Sequence, residues 1–432
     1  MIVPNFCSIF AGQTNSEMKK FLLFVFLALA ICSCSQKEPE HKVVVCIPVY
    51  GQSLALGEEA EVITEFDSLS QMASGRIVTE NLDHAFGFFD NDVKKQWVKK
   101  MVNYTKRTFE LSVYGMAESL VGQLGSDTLV CIFPGGQGGT AMMRLNKGNW
   151  CYQRFLDNIT TAYEKTIDKG WDFVVPAVCW MQGESDLFDY TDIDYKKALK
   201  QFAKDIDADV KQITHQTQDV RMICYQTNLL TNAAQFHADS FKCVETAVPE
   251  AMMELVRDDE QFWASGPTYP YTFARELKHI DGPSQKRLGN LAAISALGII
   301  RGTERFRGVV PVDFVSEGNE VRVSFNVPCP PLVLDTLLIK KPDYYGFSVI
   351  ASDSRNIVES VTLMDDVITL HCSEPTAGCK VRYAVNGETL KSGWEKGPRG
   401  CLRDSQGDSL NVSVLGKDYP LHNWCYQFDC QL

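Results

Sequence analysis

A serine, a pair of glycines, a glutamine and a histidine stand where folding could bring them to one place. Ser53 closes the run Val43-Val44-Val45-Cys46-Ile47-Pro48-Val49-Tyr50-Gly51-Gln52-Ser53. Gly138 and Gly139 belong to Pro134-Gly135-Gly136-Gln137-Gly138-Gly139-Thr140, which follows the apolar run 128–133. Gln182 sits in Trp180-Met181-Gln182-Gly183-Glu184-Ser185-Asp186, again after an apolar run. His279 stands just before a Gly-Pro turn and an apolar stretch. A serine hydroxyl attacks a carbonyl carbon once a base removes its proton, and imidazole, titrating near ~6.5, can do this at neutral pH. The carbonyl oxygen then becomes negative and needs hydrogen-bond donors, each typically worth about 10²–10³ in rate. Gly-rich backbone and a side-chain amide can supply them. The glycine-rich turn is not a phosphate loop, because no Lys-Ser/Thr follows it.

The elements that must hold these turns are legible in outline. The β-branched run from Val43 reads as a buried strand, and further strands are expected over 128–133, 173–179 and 220–225. Helices are expected over 95–107, 111–124, 150–169, 192–216, 233–257 and 288–300, with Gly266 to Tyr271 as a loop whose tyrosines could line a cleft. Strand–helix alternation over 43–301 implies an α/β fold, a doubly wound parallel sheet with helices on both faces. Turns loaded with chemistry at the carboxyl ends of strands are where such a sheet builds a site. The stretch 54–93 is long and irregular, the mark of a functional loop region. Near Arg305 the pattern changes to short alternating runs such as 321–325, 332–339 and 367–372, split by turns such as Gly318-Asn319. This predicts a C-terminal all-β domain, a sandwich. The expected domains are therefore 43–304 and 305–432.

Composition narrows the class. The chain has 432 residues, 45% apolar and 22% charged, with a net charge of −12. That charge argues against nucleic acid or an anionic membrane surface as partner. Met18-Lys19-Lys20 followed by the apolar run Phe21 to Ile31 reads as a signal peptide, too short to span a bilayer. It ends in Ile31-Cys32-Ser33-Cys34, which resembles the lipobox of bacterial lipoproteins, with lipid attachment on Cys34. Residues 1–34 are thus expected to be a leader, with an upstream extension over 1–17, and 35–42 a tether. The expected location is the bacterial cell envelope, with the membrane touched only through the lipid. Of 15 cysteines, Cys46, Cys131 and Cys179 read as buried thiols. Cys329, Cys372, Cys379, Cys401, Cys425 and Cys430 cluster late in the chain, where export permits disulfides. No cysteine–histidine spacing suits zinc, and no metal or other cofactor is expected.

Taken together, Gly51-Gln52-Ser53, Gly138-Gly139-Thr140, the block 180–186, and His279 with Gly289 beyond it resemble the SGNH-hydrolase superfamily. The likeness is to its sialate O-acetylesterase-like branch, related to carbohydrate esterase family 6. It covers about 43–301, and the block 180–186 is its most specific part. The resemblance implies a flavodoxin-like sheet, Ser53 as nucleophile and His279 as base. It implies oxyanion donors in the Ser53 N–H, the Gly139 N–H and the Gln182 amide. Leu54 departs from the family's Asn, and Glu276 stands where the family has Asp three residues before the histidine. The third acid is open between Glu276, Asp281 and Glu184, with Glu276 favoured by its position and Glu184 available as support. The expected function is removal of O-acetyl groups from a carbohydrate through an acyl-enzyme, without a cofactor and with an acetylated glycan as partner. The alternatives are a glycan-binding lipoprotein on a decayed hydrolase fold, or a lipid or thioester hydrolase.

Overall fold

The apolar runs become parallel strands, three of them in two pieces, with breaks at Ile47-Pro48, at Ile132-Phe133 just before Pro134, and at Val175-Pro176. A computed structural model of the protein describes residues 41–64, 75–80, 109–188, 193–227, 247–275, 278–388, 391–394 and 396–432. The leader with Cys34, the expected helix over 95–107, the first part of 233–257, and Glu276 lie outside the described residues.

Strands β1 (Val43–Cys46) and β2 (Val49–Gly51) are one run stepped at Ile47-Pro48. After the short β3 (Ile77–Val78), helix α1 (Ser112–Val121) leads to β4 (Thr128–Cys131) and β5 (Pro134–Gly136). Helix α2 (Trp150–Asp168) precedes β6 (Asp172–Val174) and β7 (Ala177–Met181), which Pro176 separates. The short α3 (Glu184–Phe188), then α4 (Tyr195–Thr214), β8 (Arg221–Gln226), α5 (Ala247–Asp258), β9 (Phe262–Pro267) and α6 (Gly282–Arg301) complete the unit. The expected loop at 266–271 thus begins inside a strand. Gly266 and Pro267 masked it in the sequence, since both are rare in strand interiors.

Two parallel sheets run end to end, β3-β4-β1-β6 and β5-β2-β7-β8-β9. Pairing continues across the steps. Ile47 N–H donates to Cys131 O at 2.9 Å, Val49 N–H to Phe133 O at 3.0 Å, and Cys179 N–H to Pro48 O at 2.9 Å. The order β5-β2-β7-β8-β9 is the flavodoxin-like one, whose switch point falls between β2 and β7. Successive residues of β7 serve opposite faces, as the pleat demands. Cys179 Sγ lies 3.7 Å from Met116 Sδ on α1, while the Trp180 ring packs on Phe202 of α4 at 4.7 Å. On that second face Tyr50 also stacks on Phe202, at 5.5 Å. Trp180 is therefore core. On the first face α1 and α6 press together: a Cβ on Gly289 would lie 1.7 Å from Ser112 O.

From Val310 the strands are antiparallel. Val310–Glu317, Glu320–Asn326, Val367–Cys372 and Val358–Met364 form one sheet, and Phe347–Ile350, Lys380–Tyr383 and Phe428–Gln431 another. Phe314 and Phe325 of the first meet Phe428 of the second at 5.7 and 6.4 Å, so the sheets share an aromatic core. Of the expected run 332–339, only Val333–Leu334 is a strand.

This β region is fastened to the parallel sheet. Gln226 Nε2 donates to Gln427 O at 2.9 Å, and Gln427 N–H donates to Gln226 Oε1 at 2.8 Å. Tyr269 donates to Cys425 O at 2.9 Å, and the Arg287 guanidinium lies between the rings of Tyr271 and Tyr419 at 4.9 and 4.6 Å. Tyr269 and Tyr271 are buried in this seam rather than lining an open cleft. The late cysteines are free thiols, as are Cys46, Cys131 and Cys179, and most are buried. No helix among the described residues is long and apolar enough to cross a membrane.

Candidate active site

The site forms at the switch point, where β5, β2 and β7 end side by side. The strands approach so closely that side chains are excluded. A Cβ on Gly51 would lie 2.0 Å from Met181 O, and one on Gly136 only 1.8 Å from Gly51 O. Beyond Gly51 the chain coils at once. Leu56 N–H donates to Gln52 O at 3.2 Å and Glu58 N–H to Ser53 O at 2.9 Å. Ser53 thus begins a helical turn, and its own N–H takes no partner among the described residues. Gln52 ties this turn to the neighbouring one: its Oε1 accepts from Gly183 N–H at 3.3 Å and Ser185 N–H at 3.1 Å.

His279 reaches Ser53 from a hairpin. Phe273 pairs with Ile280, and Ala274 N–H donates to His279 O at 2.8 Å. The hairpin ends at Asp281, the N-cap of α6, whose Oδ1 accepts from Ser284 N–H at 2.9 Å. His279 Nε2 lies 2.8 Å from Ser53 Oγ, and both residues are almost fully buried. Burial holds the His279 pKa below the ordinary imidazole value, and Glu59 partly opposes that shift. A neutral imidazole at Nε2 can accept the serine proton, which is the first requirement for acyl transfer.

The remaining expected residues are also placed. Gly139 is exposed, and its N–H takes no partner among the described residues. Gln182 is buried beside it, but its amide is engaged: Nε2 donates to Thr140 O at 3.2 Å and to Asp186 Oδ2 at 2.5 Å. Its Oε1 accepts from Tyr195 at 2.8 Å. Gln182 therefore braces the glycine turn one residue beyond Gly139, and donating to an oxyanion would require releasing one of these bonds. Glu184 is buried, accepting from Tyr225 at 2.6 and 2.7 Å, and burial raises its pKa. Asp281 is committed to its cap and to Thr272 Oγ1.

Sequence reasoning missed a neighbour of the histidine. Glu59 Oε2 lies 3.2 Å from His279 Nδ1, on the ring edge opposite Ser53. The contact is within ion-pair range but off the line of a hydrogen bond, and neither atom has another partner among the described residues. Glu58 presses on Gly138, where an added Cβ would meet its Oε1 at 2.2 Å, and burial raises the Glu58 pKa against the pull of Lys278. The signal available was the Glu58-Glu59 pair just past Gly57, within the stretch already marked as functional.

Sheet order and switch point are consistent with the fold of the SGNH hydrolases. Residues 96–296 match the family described as carbohydrate esterase, sialic acid-specific acetylesterase. Over that stretch the chain is similar to this family, in line with the resemblance its motifs carry. The match takes in Gly139, Gln182 and His279 and begins after Ser53. The fold is similar to that of a carbohydrate acetylesterase from Xanthomonas citri, at TM-score 0.53 and 11% identity over 90% of this chain and 80% of that one. Weaker likenesses include a protein from Arabidopsis thaliana, at TM-score 0.41 and 15% identity over 60% and 99% of the two chains. A carbohydrate acetylesterase from Sinorhizobium meliloti is similar at TM-score 0.33 and 11% identity, over 60% and 99%. No curated protein sequence matches the chain.

Proposed function

We propose that the protein is a serine esterase that removes O-acetyl groups from carbohydrate through an acyl-enzyme. The observation that carries this reading is the 2.8 Å approach of His279 Nε2 to Ser53 Oγ at the switch point of the sheet. His279 takes the hydroxyl proton as Ser53 Oγ bonds to the acetyl carbon, and the carbonyl oxygen becomes negative. The unpartnered N–H groups of Ser53 and Gly139 are the donors for it. Collapse breaks the ester bond, and His279 gives its proton to the departing sugar oxygen. Water then loses a proton to His279 and attacks the acetyl-serine. Collapse of this second intermediate releases acetate, and Ser53 Oγ takes the proton back. Every proton is thus carried by one imidazole, and no metal or other cofactor enters the scheme.

The same proposal places the mature protein on the cell envelope, held by lipid on Cys34, because the leader pattern ends in Ile31-Cys32-Ser33-Cys34. Metabolic lipid labelling is expected to survive Cys32→Ala and to vanish in Cys34→Ala.

Acetate release from a panel of acetylated glycans tests the activity, with a fluorophosphonate probe alongside. Wild type is expected to turn over an acetyl ester and to label on Ser53, and Ser53→Ala to lose at least about 10³ in kcat while remaining folded. A folded wild-type protein that neither labels nor releases acetate overturns the esterase reading and leaves a glycan-binding role.

A further inference from the structure

The family's acid precedes its histidine by three residues, and the corresponding Glu276 lies outside the described residues. Within them, one carboxylate faces the ring nitrogen that must be held. We propose that Glu59, carried on the nucleophile's own turn, is the residue that orients His279 for proton transfer. The proposal rests on the serine-esterase reading and adds to it the source of the third group.

The argument is one of elimination and of placement. Asp281 is occupied in capping α6 and in accepting from Thr272, and Glu184 is held by Tyr225. Glu58 lies against Gly138. Glu59 Oε2 stands 3.2 Å from Nδ1, and among the described residues neither buried atom has another hydrogen-bond partner. A buried ring N–H facing a buried carboxylate oxygen, each otherwise unsatisfied, is an arrangement that a modest side-chain rotation converts into a hydrogen bond. Arg275, on the histidine hairpin, approaches the other oxygen, Oε1, at 3.6 Å. The backbone supplies an independent sign. Glu59 has φ +67, the left-handed region that a residue with a Cβ enters at a cost. Such strain persists where the surrounding structure demands it, and it concentrates at functional sites.

Ser53 and Glu59 therefore close on the imidazole from opposite edges, Oγ at Nε2 and carboxylate at Nδ1. The carboxylate fixes the tautomer that leaves Nε2 free to accept, and it stabilises the imidazolium once the proton arrives. Glu59 touches the histidine and not the reacting atoms, so it is a positioning residue.

The test is the pH profile of kcat/KM for Glu59→Gln, read beside kcat. Among the described residues, the charged groups around His279 are Glu59, Lys278 and Arg275, with Glu58 next to Lys278. Glu59 raises the histidine's pKa, while burial and the two cations lower it. Removing the Glu59 charge leaves only the lowering influences. The acid limb is therefore expected to move to lower pH as kcat falls by about 10²–10⁴. Glu59→Asp keeps the charge and is expected to retain part of the activity. Glu59→Gly removes the carboxylate at a position where glycine is at ease, so it separates loss of function from loss of fold. Wild-type kcat and an unmoved limb in Glu59→Gln, with the native enzyme still labelling at Ser53, overturn this assignment alone. So does inactivity of Glu276→Gln with an unaltered Glu59→Gln. Failure of the native enzyme to label overturns instead the reading on which it rests.

Discussion

His279, the proposed base, has surroundings that disfavour its charged form. Its folded pKa lies below the ordinary imidazole value, so the neutral, working form persists as pH falls through the mid-sixes. The acid limb of kcat/KM is accordingly expected below about 6.5, and a limb at or above about 7 in the native enzyme contradicts the geometry described. Gln182 makes a second residue-scale case. Its amide holds Thr140 O and Asp186, so its removal frees the turn that presents Gly139. Gln182→Ala is expected to lower kcat by about 10² with little change in KM, because the proposed oxyanion donor, the Gly139 N–H, then wanders. A rise in KM with unchanged kcat, measured on an acetyl ester, assigns Gln182 to substrate binding. Ser53, His279 and Gln182 could be read from the sequence because each follows a strand or precedes a helix at a recognisable turn. Glu59 could not. Its meaning depends on meeting a histidine more than 200 residues later; the Glu58-Glu59 pair marks a carboxylate in a functional loop but not that meeting. Glu276 drew attention by its family position, which is a statement about relatives rather than about distances in this chain.

At the scale of elements, the site is a junction of strand ends. Gly136 has φ +109, and an added Cβ would strike Gly51 O, so Gly136→Ala must part β5 from β2. That change is expected to cost about 3 kcal/mol or more, as backbone strain adds to lost pairing; chemical denaturation of the purified variant measures it. Gln52 joins the nucleophile turn to the turn after β7 through two buried N–H groups. Gln52→Ala leaves both unsatisfied, at about 1–3 kcal/mol each before water compensates. It is expected to lower the denaturation midpoint and to cut kcat together, since Ser53 shares the loosened turn. The sheet was legible because β-branched apolar runs announce buried strands. What escaped were the proline steps that divide the runs, and β9, whose Gly266 and Pro267 imitate a loop. In both places the pairing partner, not the local sequence, decides the conformation.

Across the whole molecule, residues 42–432 form one compact unit despite the change from parallel to antiparallel strands. The reciprocal Gln226–Gln427 bonds and the Tyr271–Arg287–Tyr419 stack cross that change. A single cooperative thermal transition is expected, and Arg287→Ala is expected to weaken it by about 2 kcal/mol, given about 0.5–2 for each cation–aromatic contact. Two separated transitions in the native protein, by calorimetry, contradict the seam. The buried thiols have a further use. Burial holds Cys151 and Cys179 at about 12 and pushes Cys425 well up, so they stay protonated and sheltered from alkylating reagents. Of the described cysteines only Cys329 and Cys430 are partly open to solvent. The rate at which a maleimide reaches the others thus becomes a clock for transient opening, and the peptides it marks first would map, without any introduced label, which part of the molecule breathes soonest.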